Sequence, residues 1–324
     1  MRLRRLATWT AVAALLIGLA VVSPAVAGEK YKGFERGEAL ITPQELKGLM
    51  DAKDSKLVLI GVVKGGLTGS FTRGHIPGAF SVWRPDYTAA AGEPYPFGGM
   101  MMLPADFQKF VRSLGIDNDS KVVIYDEKYD ATRLWWAFYL HGKTDVRILD
   151  GGYEGWKAAE YDTEMGTGAD RDEKTGDFVA KARTSQMVWS MDDVWRAKTD
   201  DTVQLWDTRE PDEWSGEKLK KGAFRKGRIP WATFLSWKDF RKKVNDATPT
   251  EFKTADEIKQ VIAENGIDMN KDQVFYCQSG VRTTTHIFAL YLMGWDMNRL
   301  HNYDGSWIEW SYFDKNPVEV DPGA

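Results

Sequence analysis

The chain has one cysteine, Cys277, in 324 residues. That scarcity excludes an intramolecular disulfide framework and any zinc site built on cysteines. Histidine is nearly as rare: His75, His141, His286 and His301 are the four, and they are scattered without metal-ligand spacing. No metal and no organic cofactor is expected. Positive charge is also short, with 43 Lys+Arg against 47 Asp+Glu and a net charge of −4. A nucleic-acid binder carries the opposite balance, so nucleic acid is not expected as a partner. Beyond the N-terminus no segment is apolar for long enough to span a bilayer. What is present, 43% hydrophobic and 28% charged residues, is the composition of an ordinary globular protein. A chain of this length is expected to form about two domains.

The N-terminus carries Arg2, Arg4 and Arg5, then an apolar stretch over 7–22, then Ala25-Val26-Ala27. This is the layout of a secretory signal with its small-x-small cleavage site, so residues 1–27 are expected to be removed and the protein exported to the periplasm or another extracytoplasmic space. The apolar run falls short of the ~20 residues a spanning helix needs, so no membrane span is expected after cleavage. In an oxidising compartment an unpaired cysteine is either a buried hydrophobe or a reactive thiol.

The remainder is a duplication. Gly74-His75-Ile76-Pro77-Gly78-Ala79 recurs as Gly227-Arg228-Ile229-Pro230-Trp231-Ala232, and Asp150-Gly151-Gly152-Tyr153-Glu154-Gly155-Trp156 as Asp304-Gly305-Ser306-Trp307-Ile308-Glu309-Trp310. Between these landmarks, Val122-Val123-Ile124-Tyr125 ending at Asp126 matches Val274-Phe275-Tyr276 ending at Cys277. Landmarks in the same order at a nearly constant offset define two copies of one domain, over 38–158 and 186–313, with a polar, charged linker over 159–185. Short apolar runs at 57–60, 121–125, 203–206 and 273–276 predict strands. Amphipathic or apolar stretches at 104–114, 132–141, 254–265 and 283–293 predict helices. The alternation predicts an α/β fold, each copy a central, mainly parallel sheet flanked by helices.

Ligand sites of such sheets lie at the carboxyl ends of strands, where Cys277 falls. Cys277-Gln278-Ser279-Gly280-Val281-Arg282 joins a strand end to a helix start. Gly280 permits tight curvature, so backbone N–H groups can form an anion nest. The helix N-terminus and Arg282 add positive potential, and together these favour thiolate over thiol. Fourteen tryptophans are present; those at the landmarks, Trp135, Trp136, Trp156, Trp307 and Trp310, are expected to pack the core.

On GHIPGA at 74–79, GRIPWA at 227–232, CQSGVR at 277–282 and DGSWIEW at 304–310, the chain resembles the rhodanese-like sulfurtransferases in their tandem form. The resemblance implies that Cys277 takes a sulfane sulfur from a donor such as thiosulfate, holds it as a persulfide and passes it to a thiophile such as cyanide or a thiol. It makes Gln278, Ser279, Gly280, Val281 and Arg282 the substrate cradle and gives Asp207 and Arg209 a bracing role. The N-terminal copy has Asp126 in place of the cysteine, and Gly61 and Val63 where the other has Asp207 and Arg209, so it is expected to be inactive.

Departures bear on the donor. Thiosulfate users of the family commonly carry Arg-Lys where this chain has Gln278 and Ser279. Users of 3-mercaptopyruvate share Ser at 279 but carry a histidine where this chain has Met101. Both groups have an arginine where this chain has Glu213. Two other readings stand beside sulfur transfer: a persulfide carrier docking on a periplasmic redox protein, and a cysteine phosphatase or arsenate reductase. The latter class uses a longer loop, with Arg six positions after Cys; here Arg282 is five after Cys277.

Overall fold

The computed structural model describes residues 30–92, 96–170, 176–182, 185–244 and 250–323. The expected signal over 1–27 lies outside them, as do Tyr95 and residues 171–175 and 183–184 of the linker. Among the described residues no helix is long and apolar enough to cross a membrane.

The first copy runs β1 (Leu40–Ile41), α1 (Pro43–Asp51), β2 (Leu57–Val62), β3 (Phe80–Val82), α2 (Arg84–Tyr87), α3 (Pro104–Ser113), β4 (Lys121–Asp126), α4 (Asp130–Leu140), β5 (Arg147–Leu149) and α5 (Gly152–Ala158). The second runs β6 (Val188–Trp189), α6 (Met191–Ala197), β7 (Val203–Asp207), α7 (Pro211–Ser215), β8 (Thr233–Phe234), β9 (Arg241–Lys242), β10 (Glu251–Phe252), α8 (Ala255–Glu264), β11 (Asp272–Tyr276), α9 (Thr283–Leu292), β12 (Leu300–Tyr303) and α10 (Ser306–Tyr312). Each copy forms a five-stranded sheet, ordered β1-β5-β4-β2-β3 in one and β6-β12-β11-β7-β8 in the other. All the pairings within both sheets are parallel, as helical crossovers require. The register repeats too: Tyr125 lies opposite Gly61 as Tyr276 lies opposite Asp207.

Central strands covered on both faces need side chains apolar on both sides, and Val122 to Tyr125 and Val274 to Tyr276 are all buried. The helices begin where local chemistry allows. Pro104 occupies the first turn of α3. At α8, Thr254 Oγ1 accepts from the Glu257 amide at 3.3 Å while Glu257 accepts from the Thr254 amide at 2.7 Å, a reciprocal cap.

The inner helices α4 and α9 are buried almost all round and face each other across the two sheets. One apolar cluster runs through both copies, with Trp135, Trp136 and Phe138 on one side and Ile287, Phe288 and Leu290 on the other. The Trp135 ring meets Phe288 edge-on at 4.6 Å. Trp156 packs under the outer face of the first sheet, and Trp307 and Trp310 under that of the second. The landmark tryptophans are thus core residues. The start of the linker is tied to the first copy, because His75 and Glu164 exchange backbone hydrogen bonds of 2.9 Å in both directions.

Polar contacts pin the same interface. Thr132 Oγ1 lies 2.9 Å from Thr284 Oγ1. Arg133, fully buried on α4, donates to the Gly280 carbonyl at 2.9 Å, the Gly99 carbonyl at 3.0 Å and Asp304 Oδ1 at 2.6 Å. Removing one member of a buried charged pair leaves the other uncompensated, at a cost of about 3–5 kcal/mol. Arg133→Met is therefore expected to lower stability by about that much in urea unfolding. A shift under ~1 kcal/mol would show that the network is not what holds the copies together.

Candidate active site

Cys277 follows β11 and is buried, with the loop 277–282 wrapped around it and α9 starting at Thr283. The loop is shaped by turning its carbonyls outward. Those of Cys277 and Gln278 accept from the first-turn amides of α10, Trp307 at 2.9 Å and Ile308 at 3.0 Å. That of Gly280 accepts from Arg133 and, at 3.1 Å, from Asn302. Gly280 has φ +67, and a β-carbon there would press on the Asp304 carbonyl at 3.0 Å and on Arg133, so both conformation and space require glycine. Ser306 completes the scaffold: its hydroxyl accepts from the amides of Cys277 at 3.2 Å and Gly280 at 2.9 Å and donates to the Tyr303 carbonyl at 2.7 Å. It does so from a left-handed backbone, φ +48.

With the carbonyls outside, amides remain inside. Burial pushes the Cys277 thiol up, but the Arg282 charge and the backbone N–H groups of Ser279, Thr283 and Arg282 outweigh it, so the thiol titrates below its ordinary range. The site can therefore hold a thiolate without a separate base.

Arg282 is not the free cation that the sequence suggests. Its guanidinium makes a two-pronged pair with Glu213, Nη1 to Oε2 at 2.6 Å and Nη2 to Oε1 at 3.0 Å. Both side chains are buried. Lys220 stands 3.7 Å from the same Glu213 Oε2. The Arg282 pair draws the Glu213 carboxyl down to about 2 despite its burial. Neither Glu213 as a partner of Arg282 nor Lys220 is legible in the sequence, where Glu213 registers only as an arginine gone missing.

Asp207 and Arg209 pair with each other, Arg209 Nη2 to Asp207 Oδ2 at 2.6 Å, and Arg209 also holds the Gly227 carbonyl at 2.7 Å and stacks on Trp307. Their contacts make them a brace under the site. Gln278 is buried, and among the described residues neither of its amide atoms has a hydrogen-bond partner. Across the cleft, Tyr129 of the first copy meets Trp237 edge-on at 4.7 Å, and a β-carbon on Gly99 would stand 4.0 Å from that of Ser279. Met100, Met101 and Met102 line a separate cavity of about 960 Å³ between the copies, walled also by Trp189, Asp304 and Glu309; Cys277 is not among its walls.

In the first copy Asp126 stands in the cysteine's place on a shorter connection: α4 begins four residues after it, whereas α9 begins six after Cys277. Asp126 Oδ2 accepts from the amide of Ala131, five residues on, at 2.6 Å. Arg282 stands five residues after Cys277, and its amide serves the sulfur in the same way. A carboxylate thus takes a backbone amide in this copy where the other has sulfur, and burial raises it to about 6.

Two parallel α/β domains with a single cysteine nest define a tandem rhodanese-like protein. The family model described as "Rhodanese-like domain" matches residues 42–159 and 190–312, and the chain belongs to that family. It is similar to a Saccharopolyspora erythraea protein named as a thiosulfate sulfurtransferase, 31% identical over 78% of this chain and 87% of the relative. It is also similar to the 3-mercaptopyruvate sulfurtransferase of Escherichia coli, 29% identical over 82% and 90%. A third relative is the sulfur carrier protein TtuD of Thermus thermophilus, 31% identical over 74% and 83%. Among solved structures, the anaerobic ergothioneine biosynthesis enzyme of Chlorobium limicola shares the fold, with TM-score 0.72 at 24% identity over 89% of this chain and 71% of that one. These relatives make the protein an enzyme of the sulfurtransferase class.

Two outcomes are expected. The rate of iodoacetamide alkylation against pH should inflect below the free-thiol value of ~8.5, and lower still in Glu213→Gln, where the Arg282 charge is uncompensated. An inflection at or above the free value would mean the nest is not engaged. Stability supplies the second. Glu213 is depressed from 4.5 to about 2, so its contribution is present above pH 4.5 and lost as pH falls toward 2. By linkage this is roughly 3 kcal/mol, seen as a wild-type advantage over Glu213→Gln that fades across that window.

Proposed function

We propose that the protein moves sulfane sulfur from a small anionic donor, thiosulfate before 3-mercaptopyruvate, to a thiophilic acceptor through a Cys277 persulfide. One observation carries the reading: the lone cysteine sits at a strand end with the amides of Ser279, Arg282 and Thr283 turned onto its sulfur. The Cys277 thiolate attacks the outer sulfur of thiosulfate. A sulfur–sulfur bond forms to Sγ, the donor's own sulfur–sulfur bond breaks, and sulfite leaves with the electron pair. Cyanide or a thiolate then takes the outer sulfur, and Cys277 returns as thiolate. The inward amides hold the negative charge throughout.

Sulfite is already a stable anion when it leaves, so thiosulfate needs positive potential and no proton relay. The Arg282–Glu213 pair weakens the positive potential, and Gln278 and Ser279 add no charge, so a high KM for thiosulfate is part of the proposal. Each missing charge-assisted hydrogen bond is worth ~1.5–3 kcal/mol, roughly ten- to a hundredfold in affinity. A carrier role toward a redox protein is the second reading, favoured by the likeness to a protein named as a sulfur carrier. Export, proposed from residues 1–27, would make that partner periplasmic.

The test is intact mass after incubation with each donor, alongside steady-state kinetics. Thiosulfate should add one sulfur atom, which cyanide removes. Cys277→Ser should abolish both this and turnover while staying folded. Gln278→Arg with Ser279→Lys should lower the KM for thiosulfate. A clear preference for 3-mercaptopyruvate would overturn the donor assignment, and loading without turnover would favour the carrier.

A further inference from the structure

Cations near Cys277 are numerous, but most are already matched by an acid. Arg282 is held by Glu213 and Arg84 by Asp130. Arg209 pairs with Asp207 at 2.6 Å and Lys238 with Glu210 at 2.7 Å. Lys220 differs. Among the described residues its one ion-pair partner is Glu213 Oε2 at 3.7 Å, beyond hydrogen-bond length, and that oxygen already takes the 2.6 Å bond from Arg282. Two cations therefore share one carboxylate, so the three side chains together carry one net positive charge, and Lys220 is the cation paired at the longer distance.

Its position suits a ligand. The side chain is 36% exposed, so the ammonium is reachable from solvent while its stem lies against the protein. Two residues on, Gly222 turns with φ +94, and a β-carbon there would stand 3.8 Å from Gln278 Nε2. The turn carrying Lys220 thus leans on the loop residue whose buried amide has no hydrogen-bond partner among the described residues. Burial and then Arg282 lower the Lys220 ammonium, while Glu213 and the Cys277 thiolate raise it.

We propose that Lys220, with the Gln278 amide beside it, receives the anionic end of the sulfur donor and selects donors by charge. This rests on the sulfurtransferase reading above. The donor's outer sulfur enters the amide nest while its oxygens meet the ammonium and the Gln278 N–H groups, so the leaving anion departs from a positive rim.

Alkylation by a matched pair of reagents tests this apart from turnover. Iodoacetate carries a charge and iodoacetamide does not, yet both consume the same thiolate. In Lys220→Gln the iodoacetate rate is expected to fall about tenfold relative to that of iodoacetamide, with Lys220→Arg restoring the ratio. The KM for thiosulfate should rise by a similar factor, with kcat little changed. An unchanged reagent ratio, or an equal fall for both reagents, overturns the proposal. A wild-type protein that accepts sulfur from no donor would sink the functional reading instead, and the reagent ratio would still decide the role of Lys220.

Discussion

The Gly280 carbonyl is gripped from two sides, by Arg133 of the first copy and Asn302 of β12, and the chemistry of the site depends on that grip. A short loop at a strand end carries amides and carbonyls in alternation, and only one set can face the sulfur. If the carbonyls turned inward, their partial negative charge would oppose a thiolate. Arg133, Asn302 and the first turn of α10 hold the carbonyls of Cys277, Gln278 and Gly280 outside, and the amides of Ser279, Arg282 and Thr283 are left for Sγ. Because Arg133 belongs to the first copy, a domain with no cysteine is still part of the machinery. The packing of α4 on α9 that positions Arg133 also joins the two cores, so the nest is complete only where the two copies are packed together.

The copies diverged around that shared architecture. Register and helix packing persist in the first copy, while Asp126 takes a backbone amide where the other copy has sulfur and the bracing pair is absent. Gly61 shows why the brace cannot simply be restored there. A β-carbon at Gly61 would stand 2.6 Å from the Tyr125 hydroxyl and 2.9 Å from the Phe71 ring, so the space that Asp207 uses in the other copy is filled by aromatic side chains. In the first copy the absence of the brace and the aromatic packing that fills its space go together.

Much of this could be read from the sequence because it is local. The duplication, the strands ending at Asp126 and Cys277, and the glycine at 280 all follow from spacing and from the conformations a residue type permits. What could not be read joins residues far apart in the chain. Glu213 and Arg282 meet across 69 positions; nothing near either announces the other. Lys220 sits in a basic stretch that reads as an ordinary solvated surface. Ser306 occupies a left-handed backbone that residue identity argues against, and its three hydrogen bonds are what hold it there. The short strands β1, β6 and β8, two residues each, carry too little pattern to be seen before the sheet exists.

Glu213 can be understood through what a transferring sulfur requires. A thiolate stabilised without limit is abundant but sluggish, because nucleophilicity falls as the thiol pKa falls. The same stabilisation helps the second step, in which Cys277 is the leaving group and a lower pKa leaves faster. A site that must both take and release sulfur therefore favours an intermediate potential. The inward amides and Arg282 push the thiol down, burial pushes it up, and Glu213 cancels part of the arginine without removing its hydrogen-bond donors from the site. The carboxylate that looks like a lost substrate contact is, in this geometry, a setting on the nucleophile. It acts on Cys277 through Arg282, while the choice of donor falls to whatever positive charge Glu213 leaves over.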